Sequence, residues 1–285
     1  MSKIAIVTDS TAYLPTELCN GFQLYTVPLQ VIWGEETYRD GIDITPLEFY
    51  SRLQTAKVMP STSQPSPAAF EQVYQTLLEQ DYDIISVHIS QKLSGTLDSA
   101  YQARDSLKTN RITIIDSKAT SMALGFPALV LARAAKKGMG IDELCQLAEK
   151  CVQNTGVMFV VSTLEFLHRG GRIGGAQAFL GTALSLKPLL ELRDGLIEPI
   201  EKIRTMSKAT DRMLDLLEER VGERRPIHLA VLHANAPADA EKLLEKACQR
   251  FNPGDIKEAF CTSVSPAIGT HTGPGTVGVC YMAGV

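Results

Sequence analysis

At 285 residues with 45% apolar side chains, the chain can fill one large core or two ordinary ones, which excludes intrinsic disorder. A net charge of −4 supplies no basic field for nucleic acid, and apolar runs such as 126–132 are too short to cross a membrane. The six cysteines are scattered, with no C-x-x-C pair and no histidine cluster, so buried free thiols are expected instead of a zinc site. The first ten residues run straight into a strand and lack the apolar core of a secretory signal, so a cytoplasmic location is expected.

Residues 3–7 form a first strand that stops in Thr8-Asp9-Ser10-Thr11. A polar turn at the carboxyl end of such a strand is where α/β sheets place ligand loops. Asp9 and Ser10 equally suit a turn that bonds its own backbone. Residues 25–33 are apolar again, with Pro28 marking an edge or a bend. Residues 35–43 read as turn, and Thr45-Pro46 opens a helix. Residues 59–67 hold three prolines and four hydroxyl side chains, which predicts a stiff extended loop, neither helix nor strand. Such a loop is either a linker or a wall that fixes hydroxyls in place. Ser66-Pro67 then starts an amphipathic helix with Phe70, Val73, Tyr74, Leu77 and Leu78 on one face.

Residues 84–87 are a β-branched strand that feeds a helix through Ser94-Gly95-Thr96. Hydroxyls and unpaired amides at a helix N-terminus form a seat for an anion such as a carboxylate. The same residues also fit a helix in which Ser94 is simply the cap. Residues 111–115 repeat the first strand's design, ITIIDS echoing IAIVTDS, as βαβ units do. Helices are expected over 119–136 and 141–152.

Gly156 opens a second half, with a strand over 157–161 and a short helix over 164–168. The glycine-rich run 169–175 matches neither a P-loop nor GxGxxG, yet lets backbone approach a ligand or a partner. Strands over 184–192 and 196–203 flank Arg193-Asp194-Gly195, a hairpin signal. Helix 208–220, strand 227–232, helix 238–250 and strand 256–261 follow, then a glycine-rich loop over 268–275 and a last strand over 277–282. The expected fold is α/β in two domains. Residues 1–155 carry a parallel sheet flanked by helices, and 156–285 a mixed sheet with helices. His88, His168, His228 and His233 read as ordinary polar residues at element ends. Arg172 and Arg204 fall where solvent is expected, serving solubility or contact with the phosphate side of a partner.

Taken in order, Thr8-Asp9-Ser10, Thr62-Ser63-Gln64-Pro65-Ser66, Leu93-Ser94-Gly95-Thr96, Gly170-Gly171-Arg172-Ile173, Lys187-Pro188 and residues 268–275 resemble the DegV family of bacterial fatty-acid-binding proteins over essentially the whole length. Two departures stand out: Ser90-Gln91 replaces a serine pair, and Tyr13 an acidic residue. The resemblance implies a long-chain fatty acid, of palmitate or oleate type, in a tunnel between two α/β domains. Its carboxylate is then expected at Thr62, Ser94 and His271. Asp9, Ser10, Ser63, Gln64, Gly95, Thr96, Thr270 and Thr272 are expected around the mouth. It further implies a carrier without enzymatic activity, cofactor or metal, which hands its carboxylate to a separate ATP-binding fatty acid kinase subunit. Two alternatives share these residues. One is a lipid store or transport module without a kinase. The other is a hydrolase with Ser94 as nucleophile, His271 as base and Asp9 or Asp116 as orienter, although the G-x-S-x-G elbow is absent.

Overall fold

The structure, a computed structural model, describes residues 3–181 and 186–285. The first half runs β1 (Lys3–Asp9), α1 (Thr16–Cys19), β2 (Leu24–Val27), β3 (Gln30–Trp33), β4 (Glu36–Arg39), α2 (Pro46–Leu53), β5 (Ser61–Ser63), α3 (Pro67–Glu79), β6 (Tyr82–His88), α4 (Thr96–Leu107), β7 (Ile112–Asp116), α5 (Met122–Lys136) and α6 (Ile141–Gln153). The second half runs β8 (Thr155–Val160), α7 (Glu165–Arg169), β9 (Lys187–Arg193), β10 (Leu196–Ile203), α8 (Met206–Val221), β11 (Ile227–His233), α9 (Pro237–Cys248), β12 (Ile256–Ser263), α10 (Pro266–Thr272) and β13 (Val277–Ala283).

Strands β2-β1-β6-β7 make an all-parallel sheet, and β10-β9-β8-β13-β11-β12 a mixed one in which only β11 and β12 run parallel. The fold class is the expected α/β. On the parallel sheet, Phe70, Tyr74 and Leu77 of α3 and Ala100 and Ala103 of α4 fill the core of one face. Leu124, Ala128 and Leu131 of α5 and Leu144 and Ala148 of α6 fill the other. Helix α5 is buried nearly all round because it also packs on β8, β11 and β13 of the mixed sheet. A helix that is apolar on every side is the sequence trace of such a central position.

Two expectations need correction here. Residues 59–67 are not purely loop, since β5 pairs antiparallel with β3 in a small third sheet that β4 completes. Thr62 stands opposite Val31 in that register. Residues 268–275 are not a glycine-rich loop throughout, because α10 occupies their first half. Ser265 caps it, its Oγ accepting from the Ile268 amide at 3.3 Å, and Pro266 takes the first helical position. Helix α5 also starts three residues later than expected, after Ser121 at φ 53°, ψ −147°. The Asp194-Gly195 hairpin turn has φ of 50° and 82°, as a type I′ turn requires. Residues 184 and 185 of the strand expected before it lie outside the described residues.

Candidate functional site

Between the parallel and the mixed sheets lies a cavity. Its walls are mainly apolar. Leu29, Ile89 and Leu93 come from the first half, Phe159, Leu192, Ile197 and Leu232 from the second, and Ile268 from α10. Thr62, Ser63, Gln64, Ser94, Arg172, His271 and Thr272 bring polar groups to the same cavity. A second hollow shares Thr62, Arg172 and His271 with the first and runs out past Met59 and Arg169. Thr62 and His271 therefore stand at the junction between the apolar interior and the outer hollow.

Strand β5 presents Thr62, and the last turn of α10 presents His271; Thr62 Oγ1 and His271 Nε2 are 2.8 Å apart. His271 Nδ1 is buried and has no partner among the described residues. Burial, reinforced by the Arg172 guanidinium, lowers the His271 pKa to about 4, so the ring is neutral near pH 7. The ring reaches its place because residue 170 is glycine: a Cβ there would lie 2.1 Å from Nδ1. A buried imidazole with one nitrogen free can offer a ligand one more hydrogen bond.

Ser94 does not cap α4. Its Oγ meets Thr96 Oγ1 at 2.9 Å, and Gly95 occupies the N-cap without a side-chain bond. A Cβ on Gly95 would come within 2.9 Å of Gln64 Nε2, so this turn packs against the Gln64 side chain. Thr96 itself is buried beneath Ser94 and, like Gly95, is not on the cavity wall. Arg172 corrects a second expectation. It is half-buried, with Nε donating to Leu93 O at 3.1 Å and Nη1 to Gly170 O at 2.8 Å. The turn at Gly171, φ 69°, folds the chain back so that the guanidinium ties α7 to the segment before α4. Arg204, by contrast, is exposed after β10 and borders neither hollow.

Asp9 and Ser10 are not at the mouth. Asp9 Oδ1 accepts from the Thr11 amide and hydroxyl at 3.1 and 2.6 Å, while Oδ2 accepts from the Ile89 amide at 2.8 Å and meets His88 Nδ1 at 3.1 Å. His88 Nε2 continues to Ser86 Oγ at 2.6 Å and thence to Tyr74 OH at 2.7 Å. Ser10 Oγ donates to Asp40 at 2.7 Å and accepts from the Leu29 amide at 3.0 Å. Both are inward-facing structural groups, consumed in the first-strand turn. Thr272 lines the cavity, with Oγ1 donating to Ile268 O at 3.3 Å; Thr270 lines the outer hollow and donates to Pro266 O at 2.9 Å.

The hydrolase arrangement is not assembled. Asp9 serves His88, Asp116 accepts from the Lys118 amide at 2.8 Å, and Ser94 bonds Thr96 instead of His271. Among the described residues no group of three or more His, Cys, Asp or Glu side chains could hold a metal ion, and no helix is long and apolar enough to cross a membrane. Sequence reasoning missed Thr120, Ser121, Thr276 and Gly278, which also line the cavity. Only Gly278 carried a signal, as a glycine inside a strand; its Cβ would lie 2.8 Å from Met158 O on β8.

A family model described as "Uncharacterised protein, DegV family" matches residues 3–284. The chain belongs to the DegV family. It is 41% identical over 277 residues to a DegV domain-containing protein of Streptomyces coelicolor, covering 97% of each chain. It is 36% identical over 279 residues to Protein DegV of Bacillus subtilis, covering 98% of each. Two solved structures are also similar. One, described for fatty acid binding of a DegV family protein from Thermus thermophilus, superposes with a TM-score of 0.91 at 36% identity, over 99% of this chain and 100% of that one. The other, DegV of Bacillus subtilis, described as a fatty acid binding protein, gives 0.89 at 36% identity with the same coverage.

Proposed function

We propose that this DegV chain binds a long-chain fatty acid, of palmitate or oleate type, in the cavity between its sheets and presents the carboxylate to a separate ATP-binding kinase subunit. Residues 1–155 and 156–285 are the two domains that supply the walls. The observation that carries the reading is the Thr62–His271 pair with its free Nδ1, set where an apolar cavity meets an outer hollow. Ser94 donates one neutral hydrogen bond to the carboxylate and the Thr62–His271 pair donates another, from His271 Nδ1 when Thr62 donates to Nε2, or from Thr62 Oγ1 when Nε2 carries the ring proton. Charge-assisted bonds from neutral groups fix an anion while leaving one oxygen free to attack the terminal phosphoryl of ATP, giving acyl phosphate and ADP. Arg172 adds positive potential, but two of its donors are already engaged by backbone carbonyls.

Affinity comes from the tail. At about 0.8 kcal/mol per CH₂, some fourteen methylenes give a gross driving force of roughly 11 kcal/mol before ordering costs. The chain acts as a cytoplasmic carrier, not an enzyme, and needs no cofactor. Its glycine-rich stretches support this division of labour, because Gly170 and Gly269 admit His271 and Tyr50 and do not cradle a phosphate. Exposed Arg204 is left for the partner. Mass spectrometry of the organic extract of protein purified from a bacterial host tests the reading, with close to one long-chain fatty acid per chain expected. An empty extract together with no uptake of added palmitate or oleate contradicts it. Acyl phosphate should form only when a kinase subunit and ATP are added. Bound lipid that a kinase never phosphorylates would instead indicate a store or transport module.

A further inference from the structure

The cavity carries a polar feature that a plain hydrocarbon tail leaves unused. Thr120 lines it, and its Oγ1 is buried with no hydrogen-bond partner among the described residues. Its neighbour Ser121, on the same wall, has φ 53° and ψ −147°, a conformation that a serine rarely adopts, and its hydroxyl does not cap α5. The segment is nevertheless fixed. Ser117 Oγ accepts from the Ala119 amide at 3.1 Å, and Ala119 O accepts from the Ser90 amide at 2.9 Å. Thr120 is thereby anchored beside the chain that leads to Ser94, in a cavity that Phe159, Leu192 and Ile197 also line. For an all-methylene ligand, valine would have the same shape and no polar atom to desolvate.

The geometry points to Thr120 as a second polar subsite, one that accepts a hydroxyl on the acyl chain, so that the ligands of this cavity include hydroxy fatty acids. The inference rests on the fatty-acid reading above. A chain hydroxyl can donate to Thr120 Oγ1 or accept from it, and satisfies the buried group that stearate leaves unpaired. Discrimination arises because a site built around a polar group penalises the analogue that leaves it unmatched.

The test is competition binding of stearate against positional hydroxystearates, with hydroxyls placed from carbon 3 to carbon 12, on the whole protein and on Thr120→Val. One isomer should bind the wild type about three- to tenfold better than its positional neighbours, as one neutral hydrogen bond allows. Thr120→Val should erase that preference and bind stearate as well as or better than the wild type. Stearate binding without preference among isomers, or a preference that survives Thr120→Val, overturns the subsite and leaves the fatty-acid reading standing. Weaker stearate binding by Thr120→Val also overturns it, because Thr120 would then be serving the carboxylate. Failure of the wild type to bind stearate or any other fatty acid sinks both.

Discussion

Two of the imidazoles that sit deep in this fold, His88 and His271, differ in one respect. His88 has both ring nitrogens engaged, one by Asp9 and one by Ser86, and Tyr74 closes the chain of bonds. His271 has one nitrogen on Thr62 and the other buried without a partner among the described residues. The first is a finished network that joins β1, β6 and α3, and nothing in it is left to offer a ligand. The second is an unfinished one on a cavity wall. Complete hydrogen-bond accounting marks structure, and an outstanding bond beside an apolar cavity marks a place for a ligand.

The comparison is broken most severely at Asp9. Asp9→Ala leaves His88, Thr11 and the Ile89 amide without their acceptor, and should cost about 3–5 kcal/mol of stability in urea unfolding. Fatty-acid affinity of the folded fraction should not change. A large loss of affinity with little loss of stability would place Asp9 in the site after all.

The next effect is read in acid. His271 has its folded pKa lowered to about 4 against an unfolded value near 6.5, so the unfolded chain binds the extra proton in between. Its contribution to stability is whole above about pH 6.5 and declines by about 3 kcal/mol as pH falls toward 4. Asp40 at the other end of α10, its pKa raised to about 6 chiefly by burial, works in the opposite sense. Its contribution is whole below about pH 4 and declines as pH rises through 6. Unfolding free energies from pH 4 to 7 should therefore show His271→Gln losing the acid-side decline and Asp40→Asn the neutral-side one. Variant curves that run parallel to the wild type contradict both assignments.

Smaller effects sharpen the contrast within the site. Gly170→Ala drives a Cβ into His271 Nδ1, so the ring must turn away from Thr62. Fatty-acid affinity should fall roughly tenfold or more, the scale of one hydrogen bond to a charged group, and should match that of His271→Ala. Binding at wild-type strength would detach Nδ1 from the ligand. Thr62→Ser keeps the hydroxyl and should change affinity by less than about threefold, within the range of a partly perturbed hydrogen bond.

Much of the fold was legible in the sequence where local signals agreed. Ser66-Pro67 with apolar positions three and four apart gave α3, and Asp194-Gly195 gave the β9–β10 turn. Ser265-Pro266 carries the same Ser-Pro signal, but Gly269, Gly273 and Gly275 mask it, because glycine disfavours a helix interior. Gly269 is in fact required within the helix, since any Cβ would meet Tyr50 OH at 2.3 Å. Strand β5 was illegible because three residues become a strand only when β3 lies alongside, a partnership that local propensity does not encode. Thr62 and His271 are legible only through family resemblance, whereas Ser94 is also marked by its place between a strand and a helix N-terminus. Thr120 carried no signal, because a threonine without a partner looks like any other until its surroundings are known. Arg172 is the converse case: a charged residue in a glycine-rich run reads as exposed until the run folds back.

The central claim is that the unfinished Thr62–His271–Ser94 group receives a fatty-acid carboxylate. Palmitate binding isotherms for the wild type, Thr62→Ala and Ser94→Ala, with ligand-free urea unfolding of each, test it most directly. Each substitution should weaken palmitate roughly ten- to hundredfold, as loss of a bond to a charged group predicts, and leave stability within about 1 kcal/mol. Unchanged palmitate affinity in both variants, with stability preserved, would contradict the assignment and move the carboxylate elsewhere in the cavity.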